Sequence, residues 1–132
     1  MVIDTSGLLA ILQNEPERRR FNEAIEAAET RSLSTASFLE TSMIVESRYG
    51  ADGVRDLDLL IAKAKVSLVP VDEDQAHLAR QGFQKYGKGR HPAGLSYGDC
   101  FSYALARSLE QPLLFKGNDF SQTDVECHPA SG

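Results

Sequence analysis

The sequence predicts an α/β sandwich, in which helices cover both faces of a mainly parallel central sheet of four to five short strands. Short apolar segments such as 66–71 alternate with longer segments that have helical periodicity. Parallel strands need crossover connections, and the intervening helices supply them. The chain has 132 residues, 42% of them hydrophobic, and no repeat or Gly/Ser-rich linker divides it. We therefore expect a single domain over residues 1–132.

The first half of the chain predicts two strands and three helices. In order, these are a strand at 2–3, a turn at 4–7 that leads into a helix carrying Leu8 to Leu12, a helix at 17–28, a strand at 32–35 and a helix at 38–49. The 17–28 segment has apolar residues at helical spacing, which gives that helix one apolar stripe. Ser37 and Glu40 have the spacing of a capping box for the 38–49 helix, and Gly50 is expected to end it.

The second half continues the alternation of helices and strands. It predicts helices at 52–65, 74–86 and 96–110, strands at 66–71 and 112–115, and a short fifth strand at 125–128. Three glycines and Pro92 interrupt residues 87–94, so we expect a loop there. The apolar stripes of the 17–28 and 52–64 helices are candidates for a dimer face or a partner groove, although such stripes are more often core.

Composition and charge argue against several classes of protein. No apolar run approaches the roughly 18 residues of a membrane span, so we expect a cytoplasmic protein without a membrane partner. Cys100 and Cys127 are far apart and form no CxxC motif, which argues against a disulfide framework and a structural zinc site. The formal net charge of −5 argues against a nucleic-acid partner. That objection weakens if several carboxylates bind a cation, because the functional face would then be electropositive.

Four acidic residues, Asp4, Glu40, Asp99 and Asp119, are expected at one edge of the sheet. Asp4 and Asp119 follow the first and fourth strands, whereas Glu40 and Asp99 lie in the first turns of helices that begin at the same edge. Carboxylates brought together repel one another, so such a cluster needs a cation. Hard oxygen ligands suit Mg²⁺ or Mn²⁺, and a metal of this kind can activate a water for attack on a phosphodiester.

Each acid also has a simpler explanation. Asp4 can cap the helix that follows the first strand, Glu40 can belong to a capping box, and Asp99 lies three residues after Ser96. Asp119 can be a turn residue. The spacing alone therefore leaves helix capping and a metal site as open alternatives.

The four acids lie in segments whose sequences are distinctive. These segments are residues 2–6 (VIDTS), 34–41 (STASFLET), 97–106 (YGDCFSYALA) and 112–120 (PLLFKGNDF). Together they resemble the PIN-domain ribonucleases, specifically the VapC toxins of bacterial toxin–antitoxin pairs. The loop at 86–95 is similar to that of one VapC subgroup, so the resemblance covers essentially the whole chain.

The resemblance implies a PIN-like α/β/α sandwich with Mg²⁺-dependent endoribonuclease activity, for which Mn²⁺ is a possible substitute. It also implies structured RNA, such as tRNA or an rRNA loop, as the substrate, and a cognate VapB-type antitoxin as the inhibitor. A homodimer is expected, which would form a heterotetramer or a larger assembly with the antitoxin.

The resemblance also assigns roles to individual residues. Asp4 and Asp99 match the family's principal metal ligands, and Glu40 and Asp119 match the remaining acids of the site. Gly117 departs from the commoner pattern, which has another acid there, so occupancy of a second metal site is in doubt. We expect three polar neighbours to orient the carboxylates or a metal-bound water, namely Thr5, Ser6 and Asn118.

Four cationic or potentially cationic residues precede Asp99, and we consider them candidates for binding RNA phosphates. They are Lys85, Lys88, Arg90 and His91. A solvated, mobile loop explains them equally well.

Two other functions stay open at this point. A catalytically silent PIN-like module would bind a partner or RNA without cutting it, although the complete set of four acids argues against this. An aspartyl phosphotransfer or phosphatase domain also places an Asp after its first strand. A haloacid-dehalogenase-type site, however, needs a second Asp where this chain has Ser6.

Overall fold

Four short parallel strands form the centre of the molecule, and five helices surround them. The computed structural model describes residues 1–132. Its elements, in chain order, are β1 (Val2–Ile3), α1 (Thr5–Leu12), α2 (Arg18–Ala27), β2 (Ser32–Ser34), α3 (Thr35–Lys63), β3 (Ser67–Val69), α4 (Glu73–Tyr86), α5 (Tyr97–Leu109) and β4 (Leu113–Leu114). None of the helices is both long enough and apolar enough to cross a membrane.

The strand order in the sheet is β3-β2-β1-β4, and every pairing is parallel. The first strand lies between the second and the last, with Val2 opposite Ser32 on one side and Leu113 on the other. The prediction of a parallel sheet with four to five strands is confirmed with four. The predicted fifth strand at 125–128 is wrong, because Cys127 forms only an isolated bridge to Leu113.

Two separate hydrophobic cores lie on opposite faces of this sheet. Val2 and Leu113 pack against apolar residues of α4 and α5, whereas Ile3 and Leu114 pack against α1, α2 and α3. Successive residues of a strand point to opposite faces, so two-residue strands are enough to contribute to both cores. Burial of both faces is typical of parallel sheets, and it confirms the α/β/α sandwich.

The apolar stripes of the two candidate partner helices belong to the second of these cores. Phe21 and Ile25 of α2 are buried there together with Leu57 of α3. Full burial of a side chain of this size contributes about 1.5–3 kcal/mol. These stripes therefore stabilise the fold, and the apolar surface left for a partner must lie elsewhere.

The starts of two helices differ from the sequence predictions. Asp4 is the N-cap of α1, which begins at once at Thr5, so no turn occupies residues 4–7. Ser34 caps α3 by accepting a hydrogen bond from the Ala36 backbone at 3.2 Å, so the predicted Ser37 cap is wrong. The expected break at Gly50 is present as a kink with φ of 67° and ψ of −149°, after which the helix resumes.

Candidate active site

Asp4 lies at the carboxyl end of the central strand β1, and its side chain is only 4% exposed. Three donors hold this carboxylate. The Ser6 backbone N–H and hydroxyl donate to Oδ2 at 3.0 and 2.6 Å, and the Ser102 hydroxyl donates to Oδ1 at 2.5 Å. Ser6 in turn accepts a hydrogen bond from the Lys116 backbone at 3.0 Å, which ties the end of β4 to the site. The predicted supporting role of Ser6 therefore corresponds to a direct contact with Asp4.

Asp99 lies in the first turn of α5, where the capping box suggested by the sequence is present. The Ser96 backbone donates to Asp99 Oδ2 at 3.0 Å, and the Asp99 backbone donates to the Ser96 hydroxyl at 3.2 Å. The other carboxylate oxygen, Oδ1, accepts no hydrogen bond from the protein. A capping role and a ligand role are therefore compatible, since each uses a different oxygen.

Electrostatics connect Asp99 with two other acids of the predicted set. Burial, together with the negative charges of Asp4 and Asp119, raises the pKa of Asp99 to about 6, against the opposing effect of the Ser96 hydrogen bonds. Like charges near a carboxyl group disfavour its ionised form, so Asp4 and Asp119 each lie within electrostatic reach of Asp99. A cation between them would relieve both the desolvation and the repulsion.

Glu40 of α3 reaches the same region across the first turn of α5. A Cβ atom on Gly98 would lie 2.7 Å from Glu40 Cδ, so the Glu40 carboxylate occupies space that only a glycine leaves free. Because Ser34 caps α3, the capping-box role of Glu40 is wrong. Glu40 forms no salt bridge and no side-chain hydrogen bond with the protein, which leaves both of its oxygens available.

Asp119 lies in the exposed segment that follows β4. Gly117 has a φ of 101°, a conformation that favours glycine, which explains why an acidic residue does not fit well at that position. The next residue, Phe120, is buried and packs edge-to-face on Phe115 at 5.2 Å, so the segment is anchored directly beside Asp119.

Two of the expected supporting residues contact none of the four acids. The Thr5 hydroxyl lies 3.4 Å from the Ser37 carbonyl and 3.2 Å from the Thr41 hydroxyl, because its side chain points between α1 and α3. The exposed Asn118 side chain makes no hydrogen bond. The backbone carbonyl of Asn118 accepts one, from the Ser121 hydroxyl. The predicted orienting roles of Thr5 and Asn118 are therefore not supported by these contacts.

Ser102, which was not predicted from the sequence, also contacts the site. Ser102 is completely buried in α5, and its hydroxyl also lies 3.3 Å from the hydroxyl of Ser37. Helical spacing could have identified it, because residues three apart lie on one face and Ser102 follows Asp99 by three.

The donor set fits a hard divalent metal. All four candidate side chains are carboxylates, and none of them forms a salt bridge with a lysine, arginine or histidine. Lys116, close to Asp119 in sequence, pairs instead with Glu15 at 2.7 Å and Glu17 at 3.3 Å. No three His, Cys, Asp or Glu side chains converge as a ready-made metal cage. Mg²⁺ does not require one, since it commonly keeps several waters and binds through one or two carboxylates.

The candidate RNA-binding loop is ordered by its own contacts. The Lys88 backbone donates to the Leu95 carbonyl at 2.9 Å, and Arg90 lies over the Phe83 ring at 5.1 Å. His91 accepts a hydrogen bond from the Ala93 backbone at 3.0 Å and packs edge-to-face on Tyr86, so its ring supports the loop. The side chains of Lys85, Lys88 and Arg90 are exposed and form no ion pair with an acid.

Comparisons with known proteins agree with this architecture. The PIN domain family matches residues 1–126 of the chain. Ribonuclease VapC30 of Mycobacterium tuberculosis is 57% identical over 125 residues, covering 95% of each chain. Ribonuclease VapC of Mycolicibacterium smegmatis is also 57% identical, over 95% of this chain and 97% of its own.

Solved structures show the same fold at low sequence identity. The VapC20 toxin of Mycobacterium tuberculosis, described as cleaving the sarcin-ricin loop, superposes with a TM-score of 0.76 at 16% identity, covering 94% of this chain and 95% of its own. VapBC2 from Rickettsia felis, bound to a promoter DNA fragment, gives 0.74 at 11% identity over 96% of this chain and 94% of its own. The family match and the 57% identical relatives together decide the assignment. This chain belongs to the PIN-domain family, among the VapC ribonucleases.

Proposed function

We propose that this chain is the toxin of a VapBC-type toxin–antitoxin pair, and that it hydrolyses phosphodiester bonds of structured RNA, such as tRNA or an rRNA loop. Two observations at the first turn of α5 support the proposal. The charges of Asp4 and Asp119 act on Asp99, and the Glu40 carboxylate lies against Gly98, the residue before Asp99. The family supports dependence on a divalent metal. We propose Mg²⁺, with Mn²⁺ as a substitute, because the donors are all carboxylate oxygens.

In this proposal Asp4 and Asp99 hold the metal, and Glu40 and Asp119 complete the acidic surface around it. A divalent metal bound there would supply an activated water and stabilise the charge that develops on the phosphate. The chain contributes rigid placement, since Ser6 and Ser102 hold Asp4 and the capping box holds Asp99. Glu40 has no protein donor, so its carboxylate is free to orient the water or accept its proton.

We infer that the exposed cations of the loop at 87–94 bind RNA phosphates on either side of the cut. Lys88 and Arg90 are exposed on an ordered loop, and the neighbouring Lys85 lies in the last turn of α4. Phosphate contacts of this kind position a nucleic acid without reading its sequence. His91 has a smaller role here, because its ring already accepts a hydrogen bond within the loop.

We also propose that the protein forms a homodimer, binds a VapB-type antitoxin and acts in the cytoplasm, where the RNA substrate is found. Known toxin–antitoxin complexes of the same fold support the antitoxin. For the dimer, the three most exposed large apolar side chains lie on α3 and α5, where Leu39, Met43 and Tyr97 are 58%, 60% and 82% exposed. We expect Met43→Asp to produce a monomer in sedimentation experiments, and an unchanged dimer would exclude this face.

The test of the proposed reaction uses the purified protein freed of antitoxin. We expect it to cleave tRNA or an rRNA loop fragment when Mg²⁺ or Mn²⁺ is supplied, and to stop when EDTA is added. Asp4→Asn and Asp99→Asn should each abolish cleavage while the protein stays folded. Cleavage that survives EDTA, or that persists in both variants, would refute the metal mechanism.

A further inference from the structure

Ser102 links the two principal acids of the site through one helix. It follows Asp99 by one helical turn in α5, and its hydroxyl donates to Asp4 Oδ1 at 2.5 Å, across 98 positions of sequence. Both partners of this bond are buried, with Ser102 fully so. The same helix that carries Asp99 therefore also holds the carboxylate of Asp4.

The direction of donation in the two hydrogen bonds of the Ser102 hydroxyl can be assigned. A serine hydroxyl has one proton, and that of Ser102 goes to Asp4, so the nearby Ser37 hydroxyl must donate to Ser102. Ser37 itself is fixed in α3, where its carbonyl accepts the Thr41 hydroxyl at 2.8 Å. The result is a buried chain of donors that runs from Ser37 through Ser102 to Asp4.

This chain limits how Asp4 can bind a metal. A carboxylate offers about four acceptor positions, two on each oxygen. Ser6 fills both positions on Oδ2 with its N–H and its hydroxyl, and Ser102 fills one position on Oδ1. One acceptor position is left, on Oδ1, and its direction is determined by the hydrogen bond from Ser102.

We propose that Ser102 is a positioning residue, which presents Asp4 to the metal as a ligand through Oδ1 alone. The inference rests on the proposed function, because it assumes that Asp4 is a ligand. Without the Ser102 hydroxyl, the Oδ1 atom loses its only protein donor, and Ser6 holds the carboxylate through Oδ2 alone. Loss of a partner that orients a metal ligand typically costs 10–100-fold in metal affinity or activity.

The test measures Mn²⁺ binding alone, by electron paramagnetic resonance of the free ion, on the antitoxin-free protein. We expect Ser102→Ala to weaken Mn²⁺ binding about 10-fold or more, the lower end of the usual range. Ser102→Thr retains a hydroxyl and should restore most of the affinity. Ser37→Ala removes the donor one step further away and should produce a smaller loss, and it serves as the main test if Ser102→Ala does not fold.

Ser131→Ala is the matched control. The Ser131 hydroxyl also donates one hydrogen bond and accepts one, with the Leu113 carbonyl at 2.9 Å and the Phe115 backbone at 3.1 Å, and it contacts none of the four acids. Its loss should lower the unfolding midpoint without changing Mn²⁺ affinity. Unchanged Mn²⁺ affinity in Ser102→Ala, or an equal loss in Ser131→Ala, would overturn the proposal.

Failure of the inference can be distinguished from failure of the proposed function. If Asp4→Asn binds Mn²⁺ like the unmodified protein, Asp4 is not a ligand and the proposed site is wrong. If Asp4→Asn loses binding and RNA cleavage still requires the metal, the site stands. In that case a silent Ser102→Ala variant refutes only the positioning role.

Discussion

Replacing Gly98 with alanine should lower RNA-cleavage activity without lowering the stability of the fold. A Cβ atom at this position would lie 2.7 Å from Glu40 Cδ, whereas carbon atoms in contact are normally about 3.5–4.0 Å apart. The Glu40 side chain must therefore move by about 1 Å, and a displacement of that size can reduce catalysis about 100-fold. That factor corresponds to about 2.7 kcal/mol in kcat/KM.

The fold should tolerate Gly98→Ala, because the contact is with the end of a flexible side chain. Alanine is also the better helix former, by up to about 1 kcal/mol, so the free energy of unfolding should stay constant or rise. The assay is single-turnover cleavage of a labelled RNA, together with urea unfolding of the same preparation. A decrease in activity without a decrease in stability is the expected result.

The control is the same substitution in a Glu40→Ala background. With no carboxylate at position 40, the added methyl group has nothing to displace, so the double variant should be no less active than Glu40→Ala alone. Full activity of Gly98→Ala would refute the reasoning. Additive losses would show that Gly98 acts through something other than Glu40.

Three further predictions concern charge, RNA binding and the backbone. Because the folded pKa of Asp99 is raised from 3.8 to about 6, the metal-free folded state holds this proton more tightly than the unfolded chain does. The free energy of unfolding should therefore fall as the pH rises through this interval, and urea unfolding in EDTA should show that Asp99→Asn removes the fall. Replacing Lys88 and Arg90 with alanine should weaken RNA binding and lower its logarithmic salt dependence by about 1.4 for single-stranded RNA, as measured by fluorescence anisotropy. Mn²⁺ affinity should be unchanged, and an equal loss of both would show that the loop supports the fold. Gly50→Ala should lower the free energy of unfolding by about 1–3 kcal/mol in urea, because alanine is strained at the kink; no loss would show that the kink can relax.

The sheet and its crossover helices were predictable because their signals are local. Apolar runs at the four strand positions and the helical spacing between them are properties of neighbouring residues, and they led to the observed order of elements. The errors were the predicted fifth strand at 125–128, which is only an isolated bridge, and the starts of two helices. Ser34 and Ser37 are both chemically suited to cap α3, and only the path of the chain out of β2 selects Ser34.

Four of the predictions about individual residues concerned side-chain contacts, and the local sequence does not specify which contacts a side chain makes. Glu40 matched a capping box in sequence, yet its carboxylate lies against Gly98 of another helix. Thr5 follows Asp4 directly, yet its hydroxyl points into the interface between α1 and α3. Asn118 precedes Asp119 but makes no side-chain contact, and His91 is held within its own loop. Adjacency in sequence therefore identified the support from Ser6 but not which other side chains contact the acids.

The sequence by itself determined which chemistry is available: four carboxylates at strand ends and helix starts, and segments that resemble the PIN-domain ribonucleases. The tertiary structure decided how those carboxylates are held. Ser102 reaches Asp4 across 98 positions of sequence, and Gly98 makes room for Glu40. The physical reason is that a side chain's acceptor positions are filled by whichever donors the packed helices bring within about 3 Å. Residue type and spacing specify the donors and acceptors, but only the packing of α5 against β1 and α3 specifies their partners.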